Sequence, residues 1–399
     1  MKRTVPVVLL AGALALAACG SSSSSSSPTT GAAATPTTGA SSSPTTGSGA
    51  TTTTAPASST PTTTPATAPP VTGAKTTLTE DGSSLLFPYL EAVAAKFHTA
   101  FPSLGVNTEA GGSGLGISDA AAGNKNMGGS DAYLSPTERT QYAGLQDIPV
   151  VISSQSVDYN LKGIKNLKLD GSVLGSIYEG KITMWNDPAI KALNPGVPLP
   201  SEKIVPIHRE DSSGDTFLFT SFLTATNPST WGTSVGENTT VNWPSVPGSA
   251  SATGNPGMVQ AAKATPGAVA YIGISAQATA VAAGLGQAKL ENKSGKFLLP
   301  SPSTVDSAVD AALPSVPANL GGSLIYASGA NSYPIVNFEY IMVKDTQPST
   351  TIADAIQKFL DYVISPTEGS SASNLAADQF EALPASIAAK SKAAIAAIK

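Results

Sequence analysis

The chain has 399 residues, 22 of them Lys or Arg and 27 Asp or Glu, for a formal net charge of −5. This mildly acidic balance, with no basic run and no interleaving of aromatic and basic residues, argues against a nucleic-acid partner. Cys19 is the single cysteine, which rules out an internal disulfide, so an exported domain must be held together by its core.

Residues 1–18 read as a signal peptide. Met1-Lys2-Arg3 is a basic start, an apolar run extends from Val5 to Ala18, and Leu16-Ala17-Ala18-Cys19 before Gly20 has the form of a lipobox. Cleavage there leaves Cys19 for lipidation, and two or more acyl chains anchor a protein stably where one binds only marginally. From Gly20 to Ala74 the chain is Ser, Thr, Pro, Gly and Ala with one valine and no charge. Such a composition cannot bury enough apolar surface to offset the cost of ordering, so residues 19–74 are expected to be a disordered tether carrying the lipidated Cys19.

Beyond Lys75 the pattern alternates between strands and helices, which indicates an α/β architecture. Thr76 to Thr79 reads as a first strand, followed by Glu80-Asp81-Gly82-Ser83-Ser84 and a helix whose Leu86, Leu90, Val93, Ala94, Phe97 and Phe101 share one face. His98 on that helix is expected to be solvated. Gly105 to Ala110 reads as a second strand, and Gly111-Gly112-Ser113-Gly114 opens an Ala-rich helix. A dinucleotide-binding turn is the obvious competitor. It fails because, counted from Gly112 and Gly114, the third glycine position holds Ile117. A short strand from Gly128 then ends at Asp131, whose ordinary alternative use is to cap the helix beginning near Ser135. Ile148 to Ile152 is a continuous apolar run, as expected of a strand buried on both faces or crossing between domains. Leu169 to Leu193 is a helical pattern broken by Gly180 to Pro188, with Trp185 expected in the core.

The most informative stretch is Ile207-His208-Arg209-Glu210-Asp211-Ser212-Ser213-Gly214-Asp215-Thr216-Phe217. A strand precedes it and a helix follows. The turn between them supplies capping residues, a glycine that lets backbone N–H groups approach a ligand, and a helix N-terminus that favours anions. Arg209 adds a planar fork that matches a tetrahedral oxyanion. Thr226 to Gly257 reads as loop, Pro266 to Gly273 and Tyr333 to Val343 as strands, and Ile352 to Ile364 as a helix. His98 and His208 form no His-Glu-x-x-His cluster, so no metal site is expected, and no Gly-x-Ser-x-Gly elbow sits in a strand-to-helix context. A carboxylate beside an anion site makes sense when the ligand carries a proton, because an ionised Asp can only accept a hydrogen bond. A protonated phosphate qualifies and sulfate does not.

Taken in order, Asp81 to Pro88, Gly111 to Gly114, Gly128 to Ala132, Gly180 to Ile190, Leu193 to Gly196, His208 to Phe217 and Pro266 to Ile272 resemble the PstS family, the phosphate-binding proteins of the high-affinity phosphate ABC importer. The resemblance runs from about Leu78 to near the C-terminus. It implies a type II periplasmic-binding-protein fold, two α/β domains with a hinge and a central ligand cleft. Domain I would comprise residues 75–147 plus 333–399, and domain II residues 148–332. It further implies phosphate contacts from Ser84, Leu85, Ser113, Asp131, Arg209, Ser213, Gly214 and Asp215, with Asp211 holding the Arg209 guanidinium. Glu210 and Ser212 depart from the family pattern; Ser212 is a conservative change, whereas Glu210 places a negative charge next to Arg209 in the sequence. The implied function is that of an extracytoplasmic lipoprotein, not an enzyme. It would bind inorganic phosphate as a monomer, without a cofactor, and deliver it to the permease subunits of a phosphate ABC transporter. A binding protein or sensor for another oxyanion, or a secreted phosphatase using Ser84 or Ser213, are the alternatives.

Overall fold

The computed structural model describes residues 66–399. The expected signal peptide, Cys19 and the part of the expected tether as far as Pro65 lie outside the described residues. The chain begins with β1 (Thr76–Gly82), α1 (Phe87–Ala100), β2 (Leu104–Ala110), α2 (Ser113–Ala122), β3 (Met127–Ser130) and α3 (Pro136–Gln141). Then come β4 (Leu145–Tyr159), β5 (Lys168–Leu169), α4 (Gly171–Tyr178), α5 (Pro188–Leu193), β6 (Val205–Arg209), α6 (Gly214–Thr226) and α7 (Trp231–Ser234). They are followed by β7 (Ala250–Ala252), α8 (Gly254–Ala264), β8 (Ala268–Gly273), α9 (Gln277–Ala282), β9 (Gly286–Gln287), β10 (Lys289–Glu291) and β11 (Phe297–Leu298). The last elements are α10 (Pro302–Ala312), β12 (Val336–Lys344), α11 (Thr350–Val363), α12 (Ala372–Asp378) and α13 (Ala385–Ala396).

The main sheet runs in the order β2-β1-β3-β12-β4-β8-β6-β7, with β9 also on β4, while β11-β10-β5 form a small second sheet. Pairing is parallel from β2 to β3 and from β8 to β7, and antiparallel around β4 and β12. β4 belongs to both halves. Leu145 to Ser154 pairs with β12, and Gln155 to Tyr159 pairs with β8. The β4–β12 register shifts between Glu339 and Tyr340, where Glu339 faces Val151 and Tyr340 faces Pro149, leaving Val150 as the extra residue. Pro149 has no N–H to give to the ladder, and a bulge of this kind turns nearby side chains.

Helices cover the sheet through apolar stripes. In α1, Leu90, Val93, Ala94 and Phe97 are buried at helical spacing, and in α11 so are Ile356, Phe359, Leu360 and Val363. The Phe97 and Phe359 rings meet edge-on with centroids 5.2 Å apart. Burying such a side chain contributes roughly 1.5–3 kcal/mol, so these stripes, more than helix propensity, hold the helices in place. Trp185 is fully buried as expected, with its Nε1 donating to the Gly267 carbonyl at 3.0 Å.

Three local expectations change. The stretch from Thr226 to Gly257 is not all loop: α7 forms around the fully buried Trp231, β7 pairs with β6, and α8 already begins at Gly254. His98 is half-buried, with Nδ1 2.7 Å from the Leu104 carbonyl. Residues 66–74, included in the expected tether, are partly paired. Ala68 donates to the Thr108 carbonyl at 3.0 Å, Ala110 donates to the Ala66 carbonyl at 2.7 Å, and Val71 donates to Asn107 Oδ1 at 2.9 Å. The physical reason lies in β2, an edge strand whose open backbone groups take a partner regardless of that partner's composition.

Candidate functional site

Five strand ends converge. They are the β1–α1 turn with Ser83 to Leu85, the β2–α2 turn with Gly111 to Ser113, Asp131 just after β3, the β6–α6 turn with Asp211 to Asp215, and the β7–α8 turn with Thr253 to Asn255. Each turn before α1, α2, α6 and α8 leads into a helix N-terminus, where N–H groups lack intrahelical partners. Packing is close. A Cβ on Gly214 would lie 2.4 Å from both Asp131 Oδ2 and Ser113 Oγ, and Gly112 combines a φ of 93° with a Cβ position 2.6 Å from the Ser212 carbonyl. Only glycine suits either place.

The hydrogen bonds define the role open to each group. Asp131 N–H donates to Ser113 Oγ at 3.1 Å, and Ser83 Oγ donates to Asp131 Oδ1. Asn255 donates from its backbone N–H to Ser84 Oγ at 3.1 Å. A hydroxyl that accepts in this way still has its own proton to give, so Ser84 and Ser113 remain potential donors to a ligand. The Leu85 N–H is different, because it donates to Ser83 Oγ at 3.0 Å. Ser213 Oγ is buried without a hydrogen-bond partner among the described residues. Leaving such a group unpaired typically costs about 1–3 kcal/mol.

Arg209 is 3% exposed and held by two carboxylates. Nε donates to Asp211 Oδ1 at 2.7 Å, Nη2 donates to Asp211 Oδ2, and Nη1 donates to Asp215 Oδ2 at 2.8 Å. A guanidinium has five N–H groups, so one on Nη1 and one on Nη2 remain for a ligand. Asp211 thus clamps the fork through both of its oxygens. Asp215 is brought to the site, yet both its oxygens are taken: Gln155 Nε2 donates to Oδ1 at 2.9 Å, and Asn255 Nδ2 donates to Oδ2 at 2.7 Å beside Arg209. Its geometry is that of an anchor for Arg209. Glu210 is exposed and turned toward β7, accepting from Ser251 Oγ at 3.1 Å and Thr253 Oγ1 at 2.6 Å, so its charge is spent away from the fork.

Burial sets the electrostatics. It pushes Asp131 up to about 7, helped by the Asp215 charge and opposed by Glu339, Ser83 and Arg209. It also raises Asp215, against the pull of Arg209, Gln155 and Asn255. Burial works against the Arg209 charge, but hydrogen bonding to Asp211 and the charges of Asp211 and Asp215 hold its pKa above the usual value. Sequence reasoning missed Ser83, Asn255, Gln155 and Glu339. A signal for Asn255 existed: Ala252-Thr253-Gly254-Asn255-Pro256 repeats the strand–glycine–helix pattern inside the stretch read as loop. Asp131 does not cap α3, since Ser135 does so with its own side chain.

Comparison with known proteins gives this arrangement a family. A family model described as a PBP superfamily domain matches residues 38–367. The phosphate-binding protein PstS of Methanocaldococcus jannaschii is 35% identical over 300 residues, covering 70% of this chain and 76% of that protein. The chain belongs to the PstS family. The phosphate-binding protein PstS 3 of Mycobacterium tuberculosis, another member, is 33% identical over 306 residues, 73% of this chain and 80% of its own. Solved structures share the fold. A high affinity periplasmic phosphate-binding protein (PfluDING) bound with phosphate superposes with a TM-score of 0.62 at 22% identity, over 79% of this chain and 93% of that one. A phosphate-binding protein from Stenotrophomonas maltophilia gives 0.61 at 21% identity over the same shares. The type II periplasmic-binding-protein fold of the PstS family is thus the fold of this chain.

Proposed function

We propose that the chain binds inorganic phosphate outside the cytoplasm and passes it to the permease subunits of a phosphate ABC transporter. The observation that carries this reading is Asp131 at a ring of donors. Two free N–H groups of Arg209, the unpaired Ser213 hydroxyl, the Ser84 and Ser113 hydroxyls and the start of α6 at Gly214 surround a carboxylate that can accept a ligand proton. Asp215 and Asp211 orient Arg209. Leu85 N–H joins the donors only if it leaves Ser83, which marks the β1–α1 turn as the part that readjusts. Neither Ser84 nor Ser213 has a general base on its hydroxyl among the described residues, which supports binding over phosphatase chemistry. Titration of the purified chain with phosphate, arsenate and sulfate in a calorimeter tests the reading. Heats for phosphate and none for sulfate are expected, and sulfate binding as tight as phosphate would overturn it.

The site residues are almost sealed: Ser84 is 7% exposed and Asp131, Arg209 and Asp215 are 3% or less. Entry of a ligand therefore requires opening. We take residues 75–147 plus 333–399 and residues 148–332 as two lobes turning about β4 and β12, where the sheet changes from one half to the other. Small-angle scattering with and without saturating phosphate checks this, compaction being expected. The lipid anchor at Cys19 and the monomeric state are part of the same proposal. No helix among the described residues is long and apolar enough to cross a membrane, so attachment to one would fall to Cys19.

A further inference from the structure

Glu339 lies on β12 at the bulge opposite Pro149 and Val151, and it is fully buried. Its Oε1 accepts from Ser153 Oγ at 2.5 Å and from Asn337 Nδ2 at 2.8 Å. Its Oε2 is buried and meets no donor among the described residues. β12 runs antiparallel to β3 with Tyr340 opposite Ser130 and Ile341 opposite Gly129, a register that brings Asp131, the next residue after β3, opposite Glu339, and the two carboxyl groups interact there. Two carboxyl groups turned toward each other in a dry interior repel when both are ionised, and only a shared proton converts the contact into a hydrogen bond.

We infer that Glu339 is a positioning residue for anion discrimination: it keeps that proton on its own carboxyl and donates it to Asp131, so that Asp131 meets the ligand as an acceptor only. The inference rests on the reading of Asp131 given above. Which partner keeps the proton follows from their neighbours. Behind Asp131 stand a donor, Ser83 on the β1 side, and a cation, Arg209 at the end of β6, both of which favour its charge, against the single opposing charge of Asp215. Around Glu339 stand Ser153 on β4, Asn337 on β12 and the neutral phenol of Tyr340, with no cation among the described residues acting on it, and burial followed by the Asp131 charge drives its carboxyl well above the usual range. A proton left on Asp131 would let it donate to a fully ionised anion, and sulfate would then be accepted. With the proton placed on Glu339, only a ligand that brings its own proton satisfies Asp131.

The test is calorimetric titration of phosphate and sulfate against the full purified chain across neutral and alkaline pH, for wild type, Glu339→Gln, Glu339→Leu and Asp131→Asn. The Gln amide still donates to Asp131 but cannot ionise. Glu339→Gln should therefore keep the phosphate-to-sulfate ratio within about twofold, as expected where one donor replaces another. It should also lose that part of the alkaline fall in phosphate affinity that exceeds the ligand's own titration. Glu339→Leu offers no donor, Asp131 takes up the proton, and the ratio should narrow by on the order of tenfold or more. An unchanged ratio in Glu339→Leu, or a Glu339→Gln pH profile superimposable on wild type, overturns the inference. Should the Leu variant not fold, the Gln profile alone decides. An unchanged ratio in Asp131→Asn sinks the underlying reading of Asp131 and the inference with it, whereas a changed ratio there beside unaffected Glu339 variants removes the role of Glu339 alone.

Discussion

Removing the Arg209 side chain should produce two separable losses. The first is in stability: Arg209→Ala leaves Asp215, 1% exposed, without its cation, and breaking a buried pair on one side costs about 3–5 kcal/mol. The second is in affinity. Two guanidinium N–H groups are free for the ligand, and charge-assisted bonds contribute about 1.5–3 kcal/mol each, so phosphate binding should weaken by about 3–6 kcal/mol, two to four orders of magnitude. Adding Asp215→Asn to Arg209→Ala removes the orphaned charge and keeps an acceptor oxygen for one of the two amides, Gln155 or Asn255, that donate to it. Stability should return in part and affinity should not. Urea melts give the first quantity and calorimetric titrations the second. Wild-type heats in Arg209→Ala would place the arginine outside the site. Recovery of affinity in the double variant would show that the single variant lost binding only through misfolding.

Asp131→Asn replaces an acceptor-only group with one that can donate in nearly the same volume, so sulfate binding should appear or strengthen, read as the phosphate-to-sulfate affinity ratio. Burial holds Asp131 and Asp158 near 7, and it lifts Glu80 and Glu339 well above the carboxylate range. The folded chain therefore binds more protons than the unfolded chain from about pH 4 upward to about 7, and its stability falls as pH rises through that window. Melting without ligand should accordingly occur at a higher temperature near pH 5.5 than near pH 7.5, and the opposite order would contradict the burial of these groups. Cys19→Ala should abolish incorporation of labelled fatty acid while leaving phosphate titrations unchanged, and label retained on the variant removes the lipobox.

The groups readable from sequence were those whose chemistry is local. A Gly/Ser turn between a strand and a helix announces itself within six residues, and this made Ser84, Ser113, Asp131, Arg209, Ser213 and Gly214 visible as candidates that the fold then brings together. Gln155 and Glu339 are different. Ser153-Ser154-Gln155-Ser156 has the composition of a loop, yet it lies within β4, buried with tertiary partners for much of its polar surface: Gln155 Nε2 donates to Asp215, and Ser156 Oγ to Asp158 and Gln277. Only the apolar run from Ile148 to Ile152 revealed that a strand was there. Glu339 likewise sits in an apolar run, where the period gives its face but nothing gives its partner.

More carboxylates than cations line this site, which would repel an anion if each carboxylate acted on it freely. Two of the three do not. Asp211 and Asp215 are consumed by Arg209, and Asp131, engaged by Ser83 and facing Glu339, is left as the acceptor, so on the proposed reading the ligand meets mainly N–H and O–H groups at the ends of β1, β2 and β6. Recognition then depends on whether the ligand's protons match the acceptors, and less on net charge. The two strands that cross between the halves of the sheet carry the supports of this arrangement, Gln155 and Ser153 on β4 and Glu339 on β12. If the lobes turn about these strands as proposed, a ligand that fails to satisfy Asp131 would leave a buried charge bonded, through Glu339, to the hinge itself, so a mismatch in protonation would oppose closure as well as contact.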